Sequence, residues 1–200
     1  MAYDPRLHHR RSIRLRGHDY AGGGAYFVTV CTQGKECIWG EIVDGEMRLN
    51  QAGRLVQKIW HALPQRFAPL VLDVFQIMPN HLHGIFVLPE PGLEPALAVA
   101  TGAPIIQPSA SRRGRASPAQ GTASQGTASR PPTMGDVVGA FKSICTIEVN
   151  KLLSRTGTRL LQKNFYEHII RDVGELEIIR DYIVHNPQRW LEDPENPAGM

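Results

Sequence analysis

Residues 24–32, GAYFVTVCT, follow a glycine run and concentrate aromatic and β-branched side chains, a pattern that predicts a strand. A second strand is expected in CIWGEIV (37–43). Asp44-Gly45 then marks a tight turn from which EMRLN (46–50) returns as a hairpin partner. Asn50 stands where a helix N-cap belongs, ahead of QAGRLVQKIWHAL, in which Leu55, Ile59 and Leu63 recur at helical spacing and Pro64 closes the helix. LVLDVFQI (70–77) and HLHGIFVL (81–88) are two further strand-like runs. The short corner Met78-Pro79-Asn80 joins them into an expected antiparallel pair.

The pattern stops at Pro89. From there to Pro132 the chain is dominated by Pro, Ala, Gly, Ser, Thr and Gln, without an aromatic residue and with QGTAS repeated in tandem at 120–129. Such a segment cannot bury enough apolar surface to fold, and a disordered insertion is expected. Helical periodicity resumes in MGDVVGAFKSICTIEVNKLL, with Val138, Phe141 and Cys145 on one face. Two shorter helices are expected in NFYEHIIRDV (164–173) and GELEIIRDYIVH (174–185), the last ended by Asn186-Pro187. The organisation read from these patterns is a basic arm (1–20), one domain (21–190) interrupted by 89–132, and an acidic tail (191–200) expected to fray.

Composition narrows the class. Two hundred residues, 42% of them hydrophobic, suffice for one sizeable core, and no run approaches the roughly 18 apolar residues of a spanning helix. The amino terminus MAYDPRLHHRRSIRLR has charges where a signal peptide needs its apolar centre, so a cytoplasmic protein without membrane partners is expected. Three cysteines, Cys31, Cys37 and Cys145, have no CxxC spacing, which excludes a disulfide framework or a structural zinc knuckle. A net charge of +3 says little by itself. Its distribution says more: Arg6, Arg10, Arg11, Arg14 and Arg16, with His8 and His9, run without an intervening acid. Charge alone leaves two readings of that arm open, a solvated run and a nucleic-acid-binding segment.

His81-Leu82-His83 carries the chemistry. Residues two apart on a strand face the same way, so both imidazoles project from one side, with Ile85 and Val87, while Leu82, Gly84, Phe86 and Leu88 line the other. Two neutral imidazoles are two metal ligands, and a metal with open positions can hold a phosphate oxygen. As a bare pattern HxH also fits two hydrogen-bonded structural histidines. A histidine-triad hydrolase is excluded because Ile85 stands where a third histidine is required.

Taken together, GAYFVTVCT (24–32), MPNHLHGI (78–85), GAFKS (139–143), NFYEHIIRD (164–172) and YIVHNPQRW (182–190) resemble the REP-associated tyrosine transposases, single-tyrosine members of the HUH endonuclease superfamily. The resemblance runs from about Arg11 to Trp190, broken by the low-complexity insertion. It implies an α+β fold with a ferredoxin-like (RRM-like) core, a central antiparallel sheet with the HUH pair on a middle strand, and a nucleophilic tyrosine on a later helix. It also implies a divalent metal ion (Mg or Mn) and cleavage and joining of single-stranded DNA, typically beside a hairpin or repetitive palindrome, by a monomer or homodimer.

The tyrosine matched to the family motif is Tyr166. Its phenolate would attack a scissile phosphorus and leave a 5′-phosphotyrosine and a free 3′-hydroxyl, a bond that can later rejoin strands without ATP. Tyr182 is the next candidate, although Ile178, Ile179 and Ile183 around it suggest packing. The family can draw a third ligand from the tyrosine helix one turn on, but Ile170 stands there. Glu167 and His168 are the nearby polar residues, His168 being the expected ligand. Lys142 and Arg171 are candidate phosphate contacts, and Arg10, Arg11, Arg14 and Arg16 match the family's DNA-binding arm. The sequence departs from the motif at Leu161-Gln162, where a tryptophan often precedes the glutamine, and at Phe165, a frequent first tyrosine. The expected function is therefore a metal-dependent single-strand DNA endonuclease and strand transferase. The alternative is a domesticated hairpin-binding protein without chemistry.

Overall fold

The computed structural model describes residues 23–88 and 131–197. The arginines of the expected arm and nearly all of the low-complexity segment lie outside this range. Six strands and four helices are seen among the described residues: β1 (Gly24–Cys31), β2 (Gly40–Val43), β3 (Glu46–Leu49), α1 (Gln51–His61), α2 (Leu63–Arg66), β4 (Val71–Ile77), β5 (His81–Leu88), α3 (Met134–Leu152), β6 (Tyr166–Ile170) and α4 (Val173–His185).

Four strands form one antiparallel sheet in the order β4-β5-β1-β6. With α1 between β1 and β4 and α3 between β5 and β6, this is the split βαβ arrangement of a ferredoxin-like α+β fold. The two histidines sit on β5, an inner strand. Alternation along β1 and β5 divides the apolar side chains between two layers. Tyr26, Val28, Val30, Leu82, Phe86 and Leu88 meet α1 and α3 through Val56, Trp60, Val138 and Phe141. On the opposite face Phe27, Ile85 and Ile170 pack against Ile179 and Ile183 of α4. No described helix is long and apolar enough to cross a membrane.

Several local signals act as expected. Asn50 caps α1, accepting the Gly53 amide at 3.0 Å. Asp44 and Gly45 both have positive φ (54° and 78°), the backbone required by a two-residue hairpin turn between β2 and β3. Thr133 and Asp136 close a capping box at the start of α3.

Three expectations are corrected. The helix expected over 164–173 is absent: Tyr166–Ile170 is an edge strand paired with β1, Thr29 facing Tyr166 and Ala25 facing Ile170. Phe165, Tyr166, Ile169 and Ile170 fit either period in so short a run, and the otherwise unpaired edge of β1 supplies backbone partners that a two-turn helix could not match. Pro64 does not close α1, which ends at His61; it starts the short α2 instead. Within the described residues the tail does not fray up to residue 197, because a 3-10 turn over Pro187–Glu192 leads it back onto the sheet, where Asp193 and Asn196 are buried.

Candidate active site

His81 and His83 lie on the α4 side of β5, both buried. Their Nε2 atoms stand 3.0 Å apart. Asn80 fixes the first ring: its amide nitrogen donates to the carbonyls of Lys35 (3.2 Å) and Glu195 (2.6 Å), which turns its oxygen toward His81 Nδ1 at 2.9 Å. That oxygen is an acceptor, so His81 carries its proton on Nδ1 and keeps a lone pair on Nε2. His83 Nδ1 meets Thr29 Oγ1 at 2.8 Å, a hydroxyl able to accept from the ring, and in that tautomer His83 Nε2 presents a lone pair beside the first.

The third convergent donor is Asp193. Its carboxylate oxygen lies 3.7 Å from His81 Nε2, and the three residues form the one cluster of metal-competent donors among the described residues. Burial depresses the pKa of both imidazoles, that of His83 to about 3, with the neighbouring ring adding to the effect at His81. The contact of His81 with Asp193 is therefore one between a neutral ring and a carboxyl group, not an ion pair. Burial raises the Asp193 pKa, against hydrogen bonds from the Glu195 amide and the Asn186 side chain that lower it.

Tyr182 projects from α4 onto this cluster. Its hydroxyl is 3.5 Å from His83 Nε2, and its ring packs edge-on against His83 and Phe27. Burial, then the Asp193 carboxylate, push its phenol pKa well up, while a hydrogen bond from the Asn186 side chain pulls it back. Asn186, one helical turn beyond Tyr182, thus bonds both Tyr182 and Asp193, and its Oδ1 is buried without a hydrogen-bond partner.

These donors fit a divalent cation. Adjacent ligands at right angles on an ion with bonds of about 2.1 Å are about 3.0 Å apart, the separation of the two Nε2 atoms. Two neutral imidazoles and a carboxylate are also a mixed nitrogen and oxygen set, which suits manganese better than magnesium.

The other sequence candidates are placed differently. Tyr166 is on β6, not on a helix; it shares the sheet face of His83, in the same row across Thr29, and packs edge-on against Phe27. His168 is also on that face, but its Nε2 bonds Glu175 at 2.7 Å, a contact that ties β6 to the first turn of α4 and takes it away from the donor cluster. The donor cluster therefore contains Asp193 and not the expected His168. Lys142 donates to the carbonyls of Gln162 (2.7 Å) and Lys163 (2.8 Å), and its ammonium lies over the Phe165 ring. Arg171 is exposed beyond Ile170, at the end of the sheet away from His81. Sequence reading missed Asn186 and Asp193. The i,i+4 spacing of Tyr182 and Asn186 was a usable signal; Asp193, in an aperiodic tail, had none.

No family model matches the sequence. The chain is 36% identical over 191 residues to an uncharacterized protein of Haemophilus influenzae, a match covering 96% of this chain and 95% of that protein. The two belong to one family. The chain has the fold of a REP-associated tyrosine transposase: a solved structure of such an enzyme bound to a REP hairpin superposes with a TM-score of 0.51 over 88% of this chain and 73% of that one, at 15% identity.

Proposed function

We propose that this protein is a metal-dependent endonuclease and strand transferase acting on single-stranded DNA beside hairpins, with Tyr182 as the attacking group. The observation that carries the reading is the Tyr182 hydroxyl 3.5 Å from His83 Nε2, at the edge of the His81, His83 and Asp193 donor cluster. The transposase fold supports it, and so does the family resemblance of the sequence, which implies a tyrosine on a helix. Among the described tyrosines, Tyr182 alone meets that requirement.

His81, His83 and Asp193 would hold the ion, manganese or magnesium. When bound, it polarises the scissile phosphate and offsets the charge that builds on its oxygens. The protein's own groups do the rest. Asn80 holds His81 in the tautomer that directs its lone pair inward, and Thr29 holds the His83 ring in place through its Nδ1. The Asn186 amide donates to the Tyr182 oxygen, which favours the phenolate in a buried setting that otherwise opposes it. Attack forms the bond from tyrosine oxygen to phosphorus and breaks the bond from phosphorus to the 3′ oxygen, which leaves as a hydroxyl after taking up a proton. The reverse attack by a 3′-hydroxyl joins strands. The arm carrying Arg10, Arg11, Arg14 and Arg16 would supply contacts to the DNA backbone.

The test is a denaturing gel of the protein with single-stranded hairpin DNA, labelled at the 5′ or 3′ end, in Mn²⁺, Mg²⁺ or EDTA. A metal-dependent covalent adduct that retains the 3′ label is expected. Tight binding without an adduct would instead identify a hairpin-binding protein that performs no chemistry.

A further inference from the structure

The helix that carries Tyr182 is anchored to both edges of the sheet. At its first turn Glu175 bonds His168 of β6 at 2.7 Å, and Asp172 caps it by accepting the Glu175 amide at 2.8 Å. In its middle Arg180 forms a two-pronged bond to Asp73 of β4, Nε reaching Oδ1 at 3.0 Å and Nη2 reaching Oδ2. Both side chains of that pair are largely buried, at 12% and 13% exposure, which sets it apart from an ordinary surface ion pair. Asp73 is available because the register of β4 and β5 shifts between Leu72 and Phe75, and the same carboxylate accepts the Val74 amide at 2.6 Å. Glu177 holds the remaining Arg180 nitrogen at 2.6 Å.

The arrangement of side chains around α4 gives this pair a consequence for the site. Ile179 and Ile183 face the sheet. At about 100° per residue, Arg180 and Tyr182 project from opposite flanks, each about 80° from that apolar seam. Contact between isoleucines and the sheet is non-directional and tolerates a roll of the helix about its axis. A bidentate guanidinium–carboxylate bond is directional and does not. A roll that parts Arg180 from Asp73 turns Tyr182 relative to His83 by the same angle. For an atom about 6 Å from the axis, about 10° of roll is about 1 Å of displacement.

We propose that the Asp73–Arg180 pair is a positioning device that sets the roll of α4, and through it the approach of the Tyr182 hydroxyl to the metal centre. The proposal rests on the reading of Tyr182 as the attacking group. Asp73 and Arg180 touch neither DNA nor metal in this scheme; they act through Tyr182. A misplacement of about 1 Å costs up to about 100-fold in rate for a reaction that depends on alignment.

The experiment compares the full-length protein with Arg180→Lys, which keeps the charge and loses the fork, Asp73→Asn, which keeps the shape and loses the charge, and the reversal Asp73→Arg with Arg180→Asp. Single-turnover formation of the covalent adduct with a 3′-labelled hairpin oligonucleotide in Mn²⁺, the dissociation constant of that oligonucleotide, and hydrogen exchange of peptides from α4 and β1 are measured for each. Both single variants are expected to bind DNA within about threefold of wild type while forming adduct at least about tenfold more slowly. Exchange in α4 should rise while that in β1 is unchanged, and the reversal should recover most of the rate.

Adduct formation within threefold of wild type in the single variants overturns the proposal, and so does a slowed reaction with unaltered α4 exchange and no recovery in the reversal. Should the wild-type protein form no adduct in any metal, the functional reading fails. The exchange of α4 then decides the clamp by itself, unchanged protection in both single variants overturning it.

Discussion

The Tyr182 hydroxyl and the His83 Nε2 meet at 3.5 Å although 99 residues separate them in the chain. The contact exists because β5 is an inner strand and α4 crosses the face on which its histidines project. It separates two tyrosines that the sequence places in the opposite order of preference. Tyr182→Phe should abolish the covalent adduct and leave hairpin affinity nearly intact, since only an oxygen is removed from a ring that stays packed on Phe27. Tyr166→Phe should keep adduct formation within roughly tenfold of wild type, the ordinary range for a group that lines a site without reacting. An adduct that survives the first substitution and vanishes with the second would restore Tyr166 as the nucleophile.

Asn80 joins three parts of the molecule that are distant in sequence: the His81 ring, the turn at Lys35 and the returning tail at Glu195. Asn80→Ala leaves two part-buried carbonyl groups without their donor and should lower stability by about 1 to 3 kcal/mol in a denaturant titration. Loss of the partner that orients a ligating histidine should weaken Mn²⁺ binding by roughly 10- to 100-fold in calorimetry. Asn80→Asp keeps an acceptor for His81 and loses the two donated bonds, so it should separate the effects, preserving more of the metal affinity than of the stability. Equal Mn²⁺ affinity in the alanine variant and wild type would show that the ring needs no such support.

The metal-free protein should lose stability on mild acidification. His83 titrates near 3 when folded and near 6.5 when unfolded, so between those values the unfolded chain binds the extra proton and stability falls as pH falls. His81 is shifted in the same direction by burial. From pH 6.5 to pH 5 the His83 contribution alone is about 2 kcal/mol. Asp193, whose pKa is raised, works in the opposite sense: it favours the folded state at low pH and withdraws that contribution as pH rises through its folded value, so it offsets part of the loss toward the carboxylate range. Thermal melts in EDTA should show Tm declining below about pH 6.5. Added Mn²⁺ should raise Tm at neutral pH and progressively less as protons compete for the same nitrogens. A melting temperature that stays level from pH 7 to pH 5 would contradict the neutral, buried state assigned to the pair.

Where a single period dominated, the sequence was legible. The alternation in HLHGIFVL assigned each residue of β5 to its observed face, and Asn50 marked the start of α1 to the residue. The β6 segment was ambiguous because five residues of mixed pattern take their conformation from a neighbour, here the open edge of β1, and not from local propensity. That difference changes which side chains meet. On a straight helix Tyr166 and His168 diverge, whereas on a strand they share a face, and His168 then bonds α4 while Tyr182 takes the place beside His83. Asp193 was hidden for a different reason. A tail rich in proline and acid carries no periodicity, and its return to the sheet depends on long-range bonds from Lys35 and Asn80 that no local pattern encodes.

The glycine that follows the second histidine has a packing role that a stability measurement can expose. Gly84 lies on the face of β5 opposite His81 and His83, where a Cβ would stand 2.5 Å from the Trp60 ring and 3.2 Å from Phe75. Trp60 is fully buried and stacked on Phe75 with ring centroids 4.6 Å apart, so neither ring can yield without disturbing the layer beneath α1 and α3. Gly84→Ala should therefore destabilise the protein by about 1 to 3 kcal/mol, the usual cost of forcing a methyl group into a filled core. Trp60→Phe in the same chain removes the ring atoms nearest the new methyl, and the double variant should be more stable than the sum of the two single changes implies. Strict additivity in a thermodynamic cycle would place the strain of the alanine elsewhere, in the backbone of the strand that carries His83.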